Sequence, residues 1–327
     1  MTMKLRTCSL LMMAAALSLA ACGEATPAPG GKPTVVSTIF TYYDAARAIG
    51  GQHATAVLLL KPGQSPHDVD PSLDDKRTVT RATIIVKNGL GLDDWVDKLA
   101  ADNKHGTVLT IGKDAQLVKP TMLDLEDASK KKDDHKHDGH DHDHDHKHDY
   151  AAGDPHVWLD PRNQIRAAEK IRDALVKADP ANREAYFASA EKYIADVKAL
   201  DAEFEAAAKT FASREFIGLH SAYAYLAARY GLTQAAAVHD VPEAEASPAK
   251  IREVVQMMKD KNIKAVFTEN ALRAKAAELI MKETGAQRFI LQPIETYDKE
   301  TDTYVSLMRQ NLEQLRKALG TTAATQP

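Results

Sequence analysis

Thirteen histidines stand in this chain of 327 residues, and they fall into two kinds. Seven of them, His135, His137, His140, His142, His144, His146 and His148, alternate with aspartate and lysine in one short tract. The rest are isolated. Three of the isolated ones occupy positions where chemistry is expected. His67 lies in Lys61-Pro62-Gly63-Gln64-Ser65-Pro66-His67-Asp68, leaving a β-branched apolar run. His156 lies in Asp154-Pro155-His156-Val157-Trp158-Leu159-Asp160-Pro161, between a fixed turn and an apolar triplet suited to burial. His220 directly follows Phe216–Leu219 and reads as the opening of a helix. Each follows a strand, where ligands collect in open α/β sheets; Gln292 follows Arg288–Leu291 in the same way. Three neutral imidazoles suit a divalent metal of borderline softness, zinc above all. Each ring then needs a partner on its second nitrogen, and Asp68, Asp154, Asp160 and Glu269 are the candidates. His53, His105 and His239 read as caps or solvated loop residues, His239 being the hardest of them to place. Trp95 and Trp158 read as core.

The elements that must position these side chains alternate. Strands are expected at Thr34–Phe40, Thr55–Leu60, Thr83–Lys87 and Thr107–Ile111, with helices at Thr41–Ile49, Pro71–Thr80 and Leu92–Ala101 between them. A second set begins at Glu215: strands at Glu215–Leu219, Gln234–Val238, Lys264–Thr268 and Arg288–Leu291, helices at Ser221–Tyr230, Ser247–Lys261, Leu272–Glu283 and Thr301–Leu319. Such alternation means parallel sheet with helices on both faces. Between the sets, Asp160-Pro161 looks like an N-cap and first helical residue of a helix over Arg162–Lys177. Asp179-Pro180 opens another that runs to about Lys209. Tyr186, Ala190, Tyr193, Val197, Leu200, Phe204 and Phe211 recur along it at helical spacing. The fold class is therefore α/β: two lobes, each with a four-stranded mainly parallel sheet flanked by helices, joined by one long rigid helix, with the metal site in the interlobe cleft. The boundaries are 33–178 for the first lobe, with a disordered histidine-rich loop at 128–150, then 179–211 for the bridging helix, 212–321 for the second lobe and 322–327 for a tail.

The N-terminus reads as a targeting segment, 1–21: Lys4 and Arg6 precede an apolar run too short to span a bilayer. It ends in Leu19-Ala20-Ala21-Cys22, a pattern that resembles a bacterial lipobox, so Cys22 is the expected lipidation site and residues 22–32, rich in Pro, Gly and Ala, the tether. Loss of Cys8 with the leader leaves no pair for a disulfide. The net charge of −4 gives no support to a nucleic-acid partner. The expected setting is the periplasm, the only membrane contact the lipid anchor, and the expected state a monomer.

Nearly all of Pro33–Leu319 resembles the metal-binding periplasmic component of zinc and manganese ABC importers, and within that family the high-affinity zinc type. The motifs that carry the resemblance are Pro62-Gly63-Gln64-Ser65-Pro66-His67-Asp68, Asn88-Gly89-Leu90-Gly91-Leu92, Asp154 through Pro161, Leu219-His220-Ser221-Ala222-Tyr223 and Val266-Phe267-Thr268-Glu269. The resemblance implies His67, His156 and His220 as ligands, and the histidine-rich loop marks the zinc branch. Many members place an aspartate ligand after the last strand, in Asp-Pro; here the dipeptide is Gln292-Pro293. A neutral amide is a poor zinc ligand, which leaves Gln292, Glu269 or water for the fourth position, and loss of the carboxylate should tilt the site away from manganese.

These readings converge on a solute-binding protein that is not an enzyme, capturing Zn²⁺ and passing it to an ABC permease driven by a separate ATPase subunit. The histidine tract would be a flexible collector that raises the local zinc concentration. Binding should weaken below about pH 6.5, where imidazoles protonate. The alternatives are a manganese or iron protein of the same architecture, a metal-sequestering surface lipoprotein or adhesin without a transporter, and a zinc hydrolase. The chain has no His-Glu-x-x-His helix to support the hydrolase, and Glu269 is the one residue that could serve it as a base.

Overall fold

The structure, a computed structural model, describes residues 31–116, 118, 153–239, 246–269 and 275–320. The first sheet is built from β1 (Thr34–Ser37), β2 (Thr55–Leu58), β3 (Ile84–Lys87) and β4 (Thr107–Thr110) in the order β2-β1-β3-β4. The second repeats that pattern with β5 (Glu215–His220), β6 (Thr233–His239), β7 (Ala265–Thr268) and β8 (Gln287–Ile290), ordered β6-β5-β7-β8. All pairings are parallel. The central strands carry unbroken buried runs, Ile-Ile-Val-Lys in β3 and Ala-Val-Phe-Thr in β7, as expected where helices cover both faces. The strand order reverses between β1 and β3 and again between β5 and β7. Loops diverge at those points, so each sheet opens a crevice at its carboxyl edge.

Helices α1 (Phe40–Gly50), α2 (Leu73–Thr80) and α3 (Trp95–Ala100) belong to the first sheet. Next come α4 (Pro161–Ala178) and α5 (Arg183–Ala208). Asp160 caps α4 by accepting from Arg162 N, with Pro161 in the first helical position, as its sequence promised. The helix expected from Asp179 begins later: Pro180–Asn182 forms a single 3₁₀ turn, and the 26 residues of α5 follow, a rod of about 39 Å. Tyr186, Ala190, Tyr193, Val197, Leu200 and Phe204 are its buried stripe. Helices α6 (Ala224–Tyr230), α7 (Pro248–Lys261), α8 (Lys275–Thr284) and α9 (Tyr304–Leu319) complete the second half. No helix among the described residues is long and apolar enough to cross a membrane.

Burial shows how the lobes are joined. The outer faces of the sheets have separate small cores, Val36, Val79, Ile85 and Val96 in one, Ile217, Val254, Met258, Val266 and Ile280 in the other. The inner faces share one continuous core that runs from Val35 and Tyr42 through Trp158, Val197 and Phe204 to Phe216, Leu226 and Leu315. The chain also crosses between the lobes a second time, after β8. Phe40 N donates to Glu295 O at 2.8 Å and Tyr304 N to the buried Asp44 Oδ2 at 2.9 Å. Arg47 donates to the carbonyls of Glu300 and Asp302. α5 is thus one of two junctions, and the second carries residues 291–304 across the cleft.

Candidate metal centre

Four side chains from four strand ends converge in that cleft. His67 comes from the loop after β2, where Gln64 N closes a turn on Lys61 O and Gly63 takes φ 75°. His156 follows the first sheet and stands immediately before the buried turn Val157–Leu159. His220 is the last residue of β5, not the first of a helix: α6 starts only at Ala224. Its ring therefore projects from the carboxyl edge of a central strand, beside the point where the sheet order reverses. The ring centroids lie 5.5 Å (His67–His156), 5.4 Å (His67–His220) and 5.0 Å (His156–His220) apart. One nitrogen of each ring lies within 4.8 Å of one on each of the others.

Carboxylates decide which nitrogen faces inward. Asp154 Oδ1 accepts both from the backbone N of His156 at 2.8 Å and from its Nδ1 at 2.7 Å, which locks the ring from two directions. Glu269 Oε1 accepts from Nδ1 of His220 at 2.6 Å. Both rings are thereby turned so that Nε2 faces the cluster, the carboxylate–histidine arrangement common at metal sites. Of the four acids named from sequence, these two are the partners. Asp160 caps α4 and holds Arg162, and Asp68 is exposed.

A carboxylate that faces the inward nitrogens is one that sequence reasoning missed. Glu295 is buried, and its Oε1 lies 3.3 Å from Nε2 of His156 and 3.5 Å from Nε2 of His67. Donors around a tetrahedral zinc with bonds of about 2.0–2.1 Å stand about 3.4 Å apart. The two distances from Glu295 match the donor spacing of a coordination shell. Glu269 stands behind His220, and the backbone N and O of Gln292 are both bonded to Asn311. Glu295 is the first carboxylate after β8, three residues beyond Gln292, and Ile294 before it adopts φ 60°. A β-branched residue in the left-handed region is a strained outlier, and no residue pattern announces the turn it makes. The argument that this site lacks a carboxylate, and therefore disfavours manganese, falls with this geometry; the case for zinc rests on the nitrogen donors.

Electrostatics couple His156 and Glu295. For His156, burial pushes the ring down, but the Asp154 carboxylate and then Glu295 outweigh it and raise the ring to about 10. For Glu295, burial pushes upward, and the contacts from His156 and His67 outweigh it and hold the carboxyl well below the ordinary range. The raised His156 ring and the depressed Glu295 carboxyl are the two sides of one contact.

The other residues singled out from sequence fall elsewhere. His239 ends β6 directly opposite His220 in the parallel register but is not part of the cluster. His53 meets the edge of the Tyr186 ring, and His105 is exposed. Trp158 is fully buried. The tract from His135 to His148, Cys22 and the N-terminal segment lie outside the described residues.

Comparisons with known proteins agree with this geometry. The chain is 32% identical over 294 residues to the zinc-binding protein AdcA of Streptococcus pyogenes serotype M3, covering 88% of this chain and 56% of that one. It thus spans little more than half the length of that relative. It is 30% identical over 314 residues to the high-affinity zinc uptake system protein ZnuA of Bacillus subtilis, covering 93% of this chain and 94% of the other. The crystal structure of the Zn(II)-bound ZnuA-like domain of Streptococcus pneumoniae AdcA superposes with a TM-score of 0.70 at 26% identity, over 88% of this chain and 99% of that domain. Residues 35–318 match the family described as "Zinc-uptake complex component A periplasmic", and the chain belongs to that family, ZnuA.

Proposed function

We propose that this protein captures Zn²⁺ in the periplasm with His67, His156, His220 and Glu295 as ligands and delivers it to an ABC permease and its ATPase. The observation that carries this reading is the convergence of three imidazoles and one carboxylate, at coordination spacing, in a cleft formed by two lobes. Three nitrogen donors favour zinc over manganese, which prefers a shell richer in oxygen. One carboxylate in the shell, with Asp154 and Glu269 behind it, more than neutralises a dication, so the buried ion is well compensated. Zinc uptake is the activity named for the Bacillus subtilis relative. In this reading Cys22 carries the lipid anchor that holds the protein at the membrane beside its permease, and the histidine tract feeds the site.

The test is a zinc titration against a competing chelator. His67→Ala, His156→Ala and His220→Ala should each weaken binding by about two orders of magnitude or more, and deletion of residues 130–149 should weaken it far less. A deletion as damaging as any single histidine change would overturn the ranking of site over tract. Metal analysis of protein purified without added metal separates zinc from manganese and iron.

A further inference from the structure

The ligands stand on loops or at the last residue of a strand, yet three of these segments are held in the same way. We propose that three buried carboxamides, Asn88, Gln234 and Asn311, are positioning residues for the metal site, each donating its amide N–H to a backbone carbonyl of one ligand-bearing segment. The inference rests on the ligand assignment proposed above.

Asn88 follows β3. Its Nδ2 donates to the carbonyl of Pro155, the residue before His156, at 2.9 Å, while its Oδ1 accepts from the Tyr42 hydroxyl at 2.7 Å. Asp93 anchors this loop in turn by accepting from the backbone N of Asn88 and Gly89 and from the Thr38 hydroxyl. Gln234, on β6, donates from Nε2 to the carbonyl of His220 itself at 2.7 Å and accepts at Oε1 from Tyr223 N at 3.3 Å. It spans the turn that leaves β5. Gly218 on the neighbouring strand makes room for it: a Cβ there would lie 2.4 Å from Gln234 Nε2. Asn311, on α9, pairs reciprocally with Gln292. Oδ1 accepts from Gln292 N and Nδ2 donates to Gln292 O, both at 2.8 Å. It holds the start of the segment that swings Glu295 into the cleft, and the Trp158 indole holds the next residue by donating to Pro293 O at 2.6 Å.

All three amides are almost completely buried. A carboxamide offers donors and an acceptor at fixed positions in one rigid plane, so it can bond a carbonyl on one side and a donor on the other, which an ammonium cannot. It is also uncharged at every working pH. It can therefore stiffen loops around a dication without adding to or subtracting from the charge that selects the ion. Ligands held in place before binding lose less freedom when the metal arrives.

The experiment uses the full chain carrying Asn88→Leu, Gln234→Met or Asn311→Leu singly, with Asn103→Leu as control. Asn103 makes a comparable set of backbone bonds, to Val79, Ala82, His105 and Gly106, in a loop remote from the ligands. Zinc affinity is measured by chelator competition, site geometry by the visible absorption of Co²⁺ bound in place of zinc, and stability by the melting temperature of the metal-free protein. The clamp variants should weaken zinc about tenfold or more and alter the intensity and position of the Co²⁺ bands. Asn103→Leu should lower the melting temperature and leave both metal readouts unchanged. The three clamps sit on different elements, so if one variant fails to fold the other two decide. Folded clamp variants with wild-type affinity and Co²⁺ spectra would overturn the proposal while leaving the ligand assignment intact. If His156→Ala too leaves binding and spectrum unchanged, the assignment itself is wrong and the clamps have no site to position.

Discussion

Replacing Glu295 with glutamine keeps size and shape and removes the carboxylate that faces the inward Nε2 atoms of His67 and His156. Structural zinc sites with four ligands bind with apparent free energies of about 10–16 kcal/mol at neutral pH, so one ligand is worth about 3 kcal/mol, or about two orders of magnitude in Kd. The geometry adds a second effect of opposite sign. In the metal-free protein Glu295 helps Asp154 hold the proton on His156, whose ring is raised to about 10. Zinc must displace that proton. Glutamine weakens the proton's hold, so the variant has less to displace, and the gain grows as the pH falls. Glu295→Gln should therefore bind about 100-fold more weakly than the parent near pH 10, with the gap narrowing as the pH falls below the His156 value of about 10. The assay is competition against a zinc chelator at several pH values, with each chelator constant corrected for pH. Affinity within about threefold of the parent across the range would refute the role of Glu295 as ligand. A gap that stays constant with pH would refute the coupling between Glu295 and the His156 proton.

Asp154→Asn and Glu269→Gln leave all four donors in place and remove the acceptors that orient His156 and His220; each should cost about 10- to 100-fold in zinc affinity, measured by the same competition. Zinc binding should release about one proton per ion between pH 7 and 9, detected with a pH indicator in weak buffer, because His156 is protonated there only in the metal-free state. The same pair shapes the stability of the metal-free protein. The raised His156 contributes fully below its unfolded value of about 6.5 and is lost as the pH rises through about 10, whereas the depressed Glu295 contributes above its unfolded value of about 4.3 and is lost on acidification. Metal-free stability from this pair should peak between those unfolded values, and the rise in melting temperature on adding zinc should grow from pH 6 to pH 9. Arg47→Ala removes two bonds to the second interlobe crossing and the partner of buried Asp44. It should cost about 2–3 kcal/mol in urea denaturation, and an unchanged midpoint would deny that the crossing ties the lobes together.

Local rules carried the reading of this chain a long way. Short apolar, β-branched runs and three- to four-residue stripes placed the eight strands and the helices described between them to within a few residues. Asp160-Pro161 marked the start of α4 because a cap depends only on its own neighbours. His67, His156 and His220 were legible as ligands because each stands at or beyond the carboxyl end of a strand, where parallel sheets gather their loops, and in motifs that resemble the family's; position alone would also have admitted His239. Three things lay beyond local rules. His220 completes β5 because pairing with His239 on β6 extends the strand by one residue, which no propensity foretells. Glu295 reaches the imidazoles only through the strained turn at Ile294 and the bonds from Phe40, Trp158 and Asn311, partners up to 255 positions distant in the chain. The lobes share one core because α1, α4, α5 and α9 pack together between the sheets. Side-chain type and spacing named most of the donors, but coordination is a matter of ångströms between segments remote in sequence, and only tertiary packing sets such distances.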